Sequence, residues 1–552
     1  MINKMKSQNK MKYTPVVHET PRCLLADAYT IGANQFQSEK AKQKSIYYIT
    51  FRRELNKINS ELYAKGDNRI LFFGLQRILH RILYKPLEQW EIDETNEFLE
   101  YGKVTTNGLK RYWFPKELFQ RVIDEFDGRF PIKITAMPEG SVVYPNEPCI
   151  QIESTVDGFG ELAAWFESKI LQCWSSSERG TQDRHFYDQV REIYIKHFPH
   201  LTQDELNFYA SIVVTDFGDR AGMNMMESED QGMTGLYTFP GTDTFCGAYQ
   251  AWKNSNKTIG LYSSVYALAH RNVQAFDCEN GAYKSLYDVM ENGEFGSMVN
   301  DCYSSRNAVV KYHLPLALQS KSENNGKIIV SRADSGIAAD EILFIINTAL
   351  DNNLCVKIVY PKSDKEWTEG TYLHFLEGDG MTNHDILELI ELLCNMGYTP
   401  WTWGLFGQGG GKRNELKRDN LSAKYALCSM GDENEGVVKF SDTFGKTTLP
   451  GPFKVLRSEE ALVNKKTIVF ADEDGDNEMV IYYDGLADVD FFDGGMLDDF
   501  VTIKKRSHIQ FDTMPKTLMS ETNHNYPASD RIINDRKKLL AKYAPDKNIN
   551  AY

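Results

Sequence analysis

The chain has 552 residues, with 62 Lys and Arg against 77 Asp and Glu, a formal net charge of −15, and 42% hydrophobic and 12% aromatic residues. That apolar content excludes a disordered chain, and the acidic balance argues against a general nucleic-acid binder, which needs a surface excess of Lys and Arg to displace counterions. An anionic small substrate stays compatible, because fields of exposed charges fade over about 8 Å at physiological salt; the length allows roughly three to four domains, or fewer around a large barrel.

The first 20 residues are basic without an apolar h-region, and no stretch approaches 18 uncharged apolar residues, so a cytoplasmic protein with no membrane partner is expected. The nine cysteines, Cys23, Cys149, Cys173, Cys246, Cys278, Cys302, Cys355, Cys394 and Cys428, are scattered and form no C-x-x-C pair, which suits reduced thiols better than a disulfide scaffold or zinc site. Residues 69–84 place Leu71, Leu75, Ile78, Leu79 and Ile82 on one face of a predicted helix, and 131–153 alternate as strands around turns at Pro138-Glu139-Gly140 and Pro145-Asn146. That first part reads as α+β.

From about residue 327 the rhythm changes. The run Lys327 to Ser331 meets the loop Arg332-Ala333-Asp334-Ser335-Gly336 and then a helix carrying Ile342, Leu343, Ile345, Ile346 and Leu350. A second run, Tyr372 to Leu376, meets Glu377-Gly378-Asp379-Gly380 and a helix with an Asn383 cap and a Gly397 stop. A third, Trp401 to Phe406, meets Gly407-Gln408-Gly409-Gly410-Gly411 and a Lys/Arg-rich helix. Three strand-loop-helix units in a row predict a parallel sheet, open or closed into a barrel, with the chemistry at the strand C-termini. The tail from about 430 reads as short strands and turns. Its acidic run at Asp472 fails as an EF-hand, since the sixth and twelfth positions are Asn477 and Tyr483.

Several loops could carry chemistry. The triple-glycine turn is no Walker A loop, because Phe406 stands five before Gly411 and Arg413 follows Lys412; it is no G-x-G-x-x-G either. Bare backbone N–H groups with Lys412, Arg413, Lys417 and Arg418 nearby make either a phosphate cradle or a tight turn beside a solvated basic helix. Arg332 and Asp334 suit a phosphate and a ribose hydroxyl or magnesium, or else pair with each other. Gly378-Asp379-Gly380 suits a sugar or metal, or is a simple turn. Asp216-Phe217-Gly218 resembles the kinase magnesium motif, but no H-R-D loop or V-A-I-K lysine accompanies it. Phe217 and Arg220 offer a ring face and a cation to a flat heterocycle, and Asp243 a hydrogen-bond acceptor. His270 follows a small, apolar stretch and alone signals little.

Taken in order, Asp27-Ala28-Tyr29, Phe72-Phe73-Gly74-Leu75-Gln76, Pro138-Glu139-Gly140-Ser141-Val142, Asp216-Phe217-Gly218-Asp219-Arg220, Gly241-Thr242-Asp243-Thr244, His270, Arg332-Ala333-Asp334-Ser335-Gly336, Gly378-Asp379-Gly380 and Phe406-Gly407-Gln408-Gly409-Gly410 with Arg418-Asp419 resemble the nicotinamide phosphoribosyltransferases, of the type II phosphoribosyltransferase family, from about residue 22 to about 500. The resemblance implies an α/β fold: an irregular β/α barrel over 166–430 carrying the active site, with an additional α+β domain built from 1–165 and 431–552. It implies a pentosyltransferase that makes nicotinamide mononucleotide and pyrophosphate from nicotinamide and phosphoribosyl pyrophosphate in NAD salvage, with Mg2+, in a homodimer with shared active sites. Phe217 and the partner subunit's Tyr29 would sandwich the pyridine ring, with Arg220 and Asp243 at the carboxamide. His270 would be phosphorylated by ATP to couple hydrolysis to synthesis. Arg332 and Asp334 would hold the pyrophosphate and ribose region with the metal at Asp334, Gly378 and Asp379 the ribose, Gly409, Gly410 and Arg418 the 5'-phosphate, and Arg53 a further phosphate contact. Two departures stand out: Lys424 and Ala426 replace a Ser and Lys that the family carries on the helix after Arg418-Asp419, and a later basic run is reduced to Lys446. The alternatives are a nicotinate phosphoribosyltransferase, against which Asp243 speaks by charge, and an inactive nucleotide-binding relative, against which the intact Arg332, Asp334, Asp379 and His270 speak.

Overall fold

Two sheets of opposite character organise the chain. The computed structural model describes residues 19–32, 36–55, 62–83, 85–101, 114–441, 447–487, 497–518 and 526–546; the basic segment 1–18 and Lys446 lie outside them. One sheet has six antiparallel strands in the order Glu435–Gly436, Ala423–Met430, Ser45–Phe51, Pro148–Ser154, Ile132–Ala136 and Val480–Asp484, so that segments far apart in sequence share it. Ile132–Ala136 alternates buried and half-buried positions, the period-two pattern of its sequence. Behind it lies an aromatic core in which Phe130 stacks on Trp165 with ring centroids 5.2 Å apart, beside Phe51, Ile134, Ile150 and Phe166.

The other sheet is parallel, in the order Gly241–Thr242, Val214–Asp216, Gly404–Gln408, Leu373–Glu377, Ile328–Ala333, Phe295–Val299 and Tyr266–Leu268. It curls, and a parallel bridge between Gly241 and Ser263 joins its two ends. Helices Ala338–Asp351 and Asn383–Met396 follow their strands and bury Ile342, Ile345, Ile346, Ile386 and Ile390 against it. The mixed α/β architecture expected from the sequence, a curled parallel sheet with helices and a further antiparallel sheet, is the one observed.

The long helix Cys173–His197 buries Glu178, Arg179, Gln182, Asp183, Arg184 and His185. A buried charge needs a partner, and both arginines find one: Arg184 Nη2 lies 2.6 Å from Asp512 Oδ1, and Arg179 Nε 2.5 Å from Asp183 Oδ2.

Some local expectations are corrected. The helix predicted over 69–84 begins at Leu75; Ile70–Leu71 is a strand paired with Val142–Val143, because Gly74 takes φ +92°, with no room for a Cβ beside Ser176. The cap before Asn383 is Thr382, whose hydroxyl accepts from the Asp385 N–H while Asp385 accepts from the Thr382 N–H; Gly397 ends that helix at φ +85° as expected. Trp401 to Trp403 belong to a helical turn, and the third strand is Gly404–Gln408. Lys424 and Ala426 lie on the strand Ala423–Met430, opposite Thr50 and Tyr48, not on a helix. The tail holds two 14-residue helices, Phe500–Thr513 and Asp530–Tyr543, whose buried Phe500, Ile503, Ser507, Phe511 and Ile532, Arg536, Leu540 recur at helical spacing.

Candidate active site

In a parallel sheet all strand C-termini face one way, and the register keeps these level: Ala333 lies beside Glu377, Glu377 beside Phe406, and Gln408 beside Asp216, itself beside Thr242. Six of the seven strands therefore deliver a polar or aromatic residue to one rim, and the seventh a glycine turn. Phe217, Asp243, His270, Asp301, Asp334, Gly378-Asp379 and Gly409-Gly410 follow directly, or after one intervening residue, on their strands.

The aromatic end is built on glycine. The Phe217 N–H donates to Gln408 O at 2.7 Å, and its ring lies over Gly407, where a Cβ would come within 2.3 Å of Phe217 Cε2, and beside Gly378. Arg220 is exposed on the next turn, Asp219–Ala221. Asp243 is exposed too: its Oδ1 accepts from Ser264 Oγ at 2.5 Å, and its N–H donates to Asp216 O at 2.9 Å.

At the other end of the strand order, His270 opens the helix His270–Gln274 between two carboxylates. Nε2 is 2.9 Å from Asp301 Oδ1 and Nδ1 is 3.9 Å from Asp334 Oδ2, while Ser335 Oγ donates to Asp301 Oδ2 at 2.7 Å. Arg332 Nη2 donates to Leu268 O at 3.1 Å, and its buried Nε has no protein partner. The local Arg332–Asp334 ion pair weighed from the sequence does not form, because the two side chains turn to different neighbours.

Between these ends lies Glu377, buried at the end of its strand, accepting from the Asp379 N–H at 3.2 Å. Burial pushes its carboxyl up to about 7, against the hydrogen bonds of the following loop, with Asp379 and Asp334 adding repulsion. Asp379 itself is exposed. The glycine turn packs on this loop: a Cβ at Gly411 would meet Gly380 O at 2.5 Å, whereas Gly410 faces open space.

The basic residues after the turn separate into two groups, so neither alternative read from the sequence, one phosphate cradle or a solvated basic helix, holds for all of them. Lys412 and Arg413 are buried, Lys412 Nζ 3.2 Å from Asp183 Oδ1 and Arg413 Nη2 3.3 Å from Asp216 Oδ2. Arg418 is exposed and holds Asp419 at 2.8 Å. Arg53, also exposed, is nearby: its N–H donates to Leu421 O at 3.3 Å, and Arg418, with Arg53 and Arg52 adding to it, keeps the Asp419 carboxyl below the usual carboxylate range. Burial lowers Lys424, with Lys439, Arg52 and Arg418 close enough to add to the effect, so Lys424 joins this basic patch. Tyr29 stands on the short helix Ala28–Gly32, 65% exposed, and among the described residues makes no ring contact with Phe217 of its own chain.

Sequence reasoning missed Asp301 and Glu377. Asp301 has no neighbouring glycine and Glu377 has one on a single side, Gly378, so neither carries the paired glycines that marked Asp379 or the Arg-x-Asp spacing that marked Asp334. The rule that chemistry follows strand C-termini was the available signal.

No family model matches the chain. It is 25% identical over 366 residues to a nicotinamide phosphoribosyltransferase of Xanthomonas campestris, an alignment covering 65% of this chain and 72% of that protein. It is 27% identical over 185 residues to a nicotinamide phosphoribosyltransferase of Acinetobacter baylyi, covering 32% of this chain and 34% of that protein. Among solved structures, human nicotinic acid phosphoribosyltransferase superposes with a TM-score of 0.54 at 13% identity, over 94% of this chain and all of that one. The nicotinate-nucleotide pyrophosphorylase of Pyrococcus furiosus does so with a TM-score of 0.52 at 12% identity, over 92% of this chain and all of that one. The resemblance read from the motifs is borne out in sequence, and the fold is that of these structures. The curated relatives are phosphoribosyltransferases, the pentosyltransferase class expected here. Among the described residues no helix is long and apolar enough to cross a membrane.

Proposed function

We propose that the chain is a phosphoribosyltransferase of pyridine salvage that joins nicotinamide to phosphoribosyl pyrophosphate, releasing pyrophosphate, in the cytoplasm. The observation that carries the reading is the single rim on which seven strands present an aromatic seat, a glycine turn, an arginine and carboxylates. Loss of pyrophosphate from ribose C1 develops oxocarbenium character at the sugar and charge on the leaving group, so the chain has to align a ring nitrogen and stabilise an anion; it needs no protein nucleophile at the sugar.

Phe217, with the partner subunit's Tyr29 in a homodimer, sandwiches the pyridine, and Arg220 and Asp243 bind the carboxamide. Tyr29, exposed and without Phe217 in its own chain, suits a site completed by a second copy. Gly378 and Asp379 hold the ribose, and Gly409, Gly410, Arg418 and Arg53 the 5'-phosphate. Arg332 holds the pyrophosphate, its unpaired Nε offering a donor. Asp334, a half-buried carboxylate at the end of the strand Ile328–Ala333, would hold Mg2+ together with substrate phosphates and water, the usual mode for that ion. When bound it would neutralise charge on the leaving pyrophosphate. His270, with Nε2 held by Asp301, offers Nδ1 to ATP as the phosphoryl acceptor that couples hydrolysis to synthesis.

Nicotinate as substrate is disfavoured by Asp243, which would accept a hydrogen bond from a carboxamide but repel a carboxylate. The first is a charge-assisted contact of about 1.5–3 kcal/mol and the second costs more, so discrimination of at least about a hundredfold is expected. Steady-state kinetics with Mg2+, phosphoribosyl pyrophosphate and either base, on wild type and Asp243→Asn, test this. Wild type is expected to prefer nicotinamide and the variant to narrow the preference. A wild type that prefers nicotinate overturns the substrate assignment, and one that makes neither mononucleotide overturns the transferase reading in favour of an inactive relative.

A further inference from the structure

We propose that Lys412 and Arg413 are positioning residues that hold the Gly409–Gly411 turn at a set distance from Phe217 and Asp243, so that the phosphate and ring ends of the site stay in register. The proposal rests on the phosphoribosyltransferase reading above.

Three rim loops meet at one buried carboxylate. Asp216 Oδ1 accepts from the Gly218 N–H at 2.7 Å, bending the Phe217 turn, and from Thr244 Oγ1 at 2.9 Å, while Asp216 O accepts from the Asp243 N–H at 2.9 Å. Its Oδ2 faces Arg179 at 3.0 Å and Arg413 at 3.3 Å. Arg413 therefore ties the segment after the glycine turn to the loops carrying Phe217 and Asp243, and its Nη1 reaches Gln231 Oε1 at 3.3 Å. Lys412 fastens the same segment to the long helix, through Asp183 at 3.2 Å and Gln182 Oε1 at 3.0 Å. Arg179 closes the circuit by bridging Asp183 and Asp216.

With relative exposures of 0% and 7%, Lys412 and Arg413 lie behind the turn and do not reach the open face at Gly410. Burial works to raise the Asp216 carboxyl, yet Arg413 and Arg179 hold it below the usual carboxylate range, so Asp216 stays ionised between the two arginines. Ion pairs in a low-dielectric interior tolerate little displacement, and a shift of about 1 Å in a substrate-positioning group can cost about a hundredfold in rate.

The test uses Lys412→Met and the double variant Lys412→Met/Asp183→Asn, which leaves neither of that pair charged and unpaired. Calorimetry gives the Kd of ribose 5-phosphate, steady-state kinetics give KM for both substrates, and the melting temperature reports folding. Both variants are expected to raise the Kd of ribose 5-phosphate and the KM of phosphoribosyl pyrophosphate tenfold or more, with the KM of nicotinamide within twofold. Unchanged phosphate affinity despite a lower melting temperature, an equal rise in both KM values, or a double variant that does not fold would each overturn the proposal, since each makes the pair a support of the fold at large. A wild type that binds ribose 5-phosphate but makes no mononucleotide would instead refute the transferase reading, leaving the role of Lys412 to be read from the Kd alone.

Discussion

The aromatic core behind the antiparallel sheet and the buried region beneath the rim of the parallel sheet differ in kind. Behind the antiparallel sheet the buried groups are Phe, Trp and Ile, whose association is non-directional and grows with the apolar area removed from water. Beneath the rim of the parallel sheet they are Arg179, Asp183, Asp216, Lys412 and Arg413, whose attraction depends on geometry. The first kind of interior holds a shape by volume, and the second holds particular atoms at particular distances. A site that must align a ring nitrogen with a ribose carbon has its loops on the second.

That contrast can be broken at its strongest point by emptying the dry core. Phe130→Ala, removing a ring stacked on Trp165 and edge-on to Phe166, is expected to cost about 3–5 kcal/mol in denaturant unfolding, with little dependence on pH and KM values unchanged in the folded fraction. A loss that varied steeply with pH would show that the aromatic core is coupled to the charged one.

The charged interior should respond in the opposite sense. Glu178 Oε1 accepts from Tyr63, Gln182 and Asn420 while Oε2 has no partner, and burial pushes its carboxyl up to about 7. Unfolded, the group loses its proton near 4.5; folded, it keeps the proton to about 7, so wild-type stability falls as pH rises between those values. Glu178→Gln lacks that loss. Its stability relative to wild type should be near zero below about pH 4 and grow to a gain on the order of 3 kcal/mol by about pH 8, read from urea midpoints across pH. A constant difference would mean that the Glu178 carboxyl binds its proton equally well in the folded and unfolded chain.

The smallest effect belongs to a helix end that touches neither interior. Thr382→Ala removes the capping hydroxyl of Asn383–Met396 and should cost about 1 kcal/mol, visible as a lower melting temperature with the substrate preference unchanged.

The strands and helices of the parallel sheet were legible because each is a short apolar run followed by an amphipathic stripe, a pattern set by local spacing. Phe217, Asp243, His270, Asp334, Asp379 and Gly409 were legible as candidates because each follows such a run, often beside glycine. Their assembly on one rim follows from parallel pairing in register, which no single segment specifies. Leu71 escaped its predicted helix because Gly74 must pass close to Ser176, about a hundred residues away in sequence. The fate of the basic residues after the glycine turn was not legible at all. Lys412 and Arg413 look like Arg418 in sequence, yet the partners that bury them, Gln182 and Asp216, lie 230 and 197 residues away. Residue spacing and polarity determine where a chain turns and which side chains are available, while burial, and with it whether a cation faces a ligand or an internal carboxylate, depends on which distant segment packs behind it.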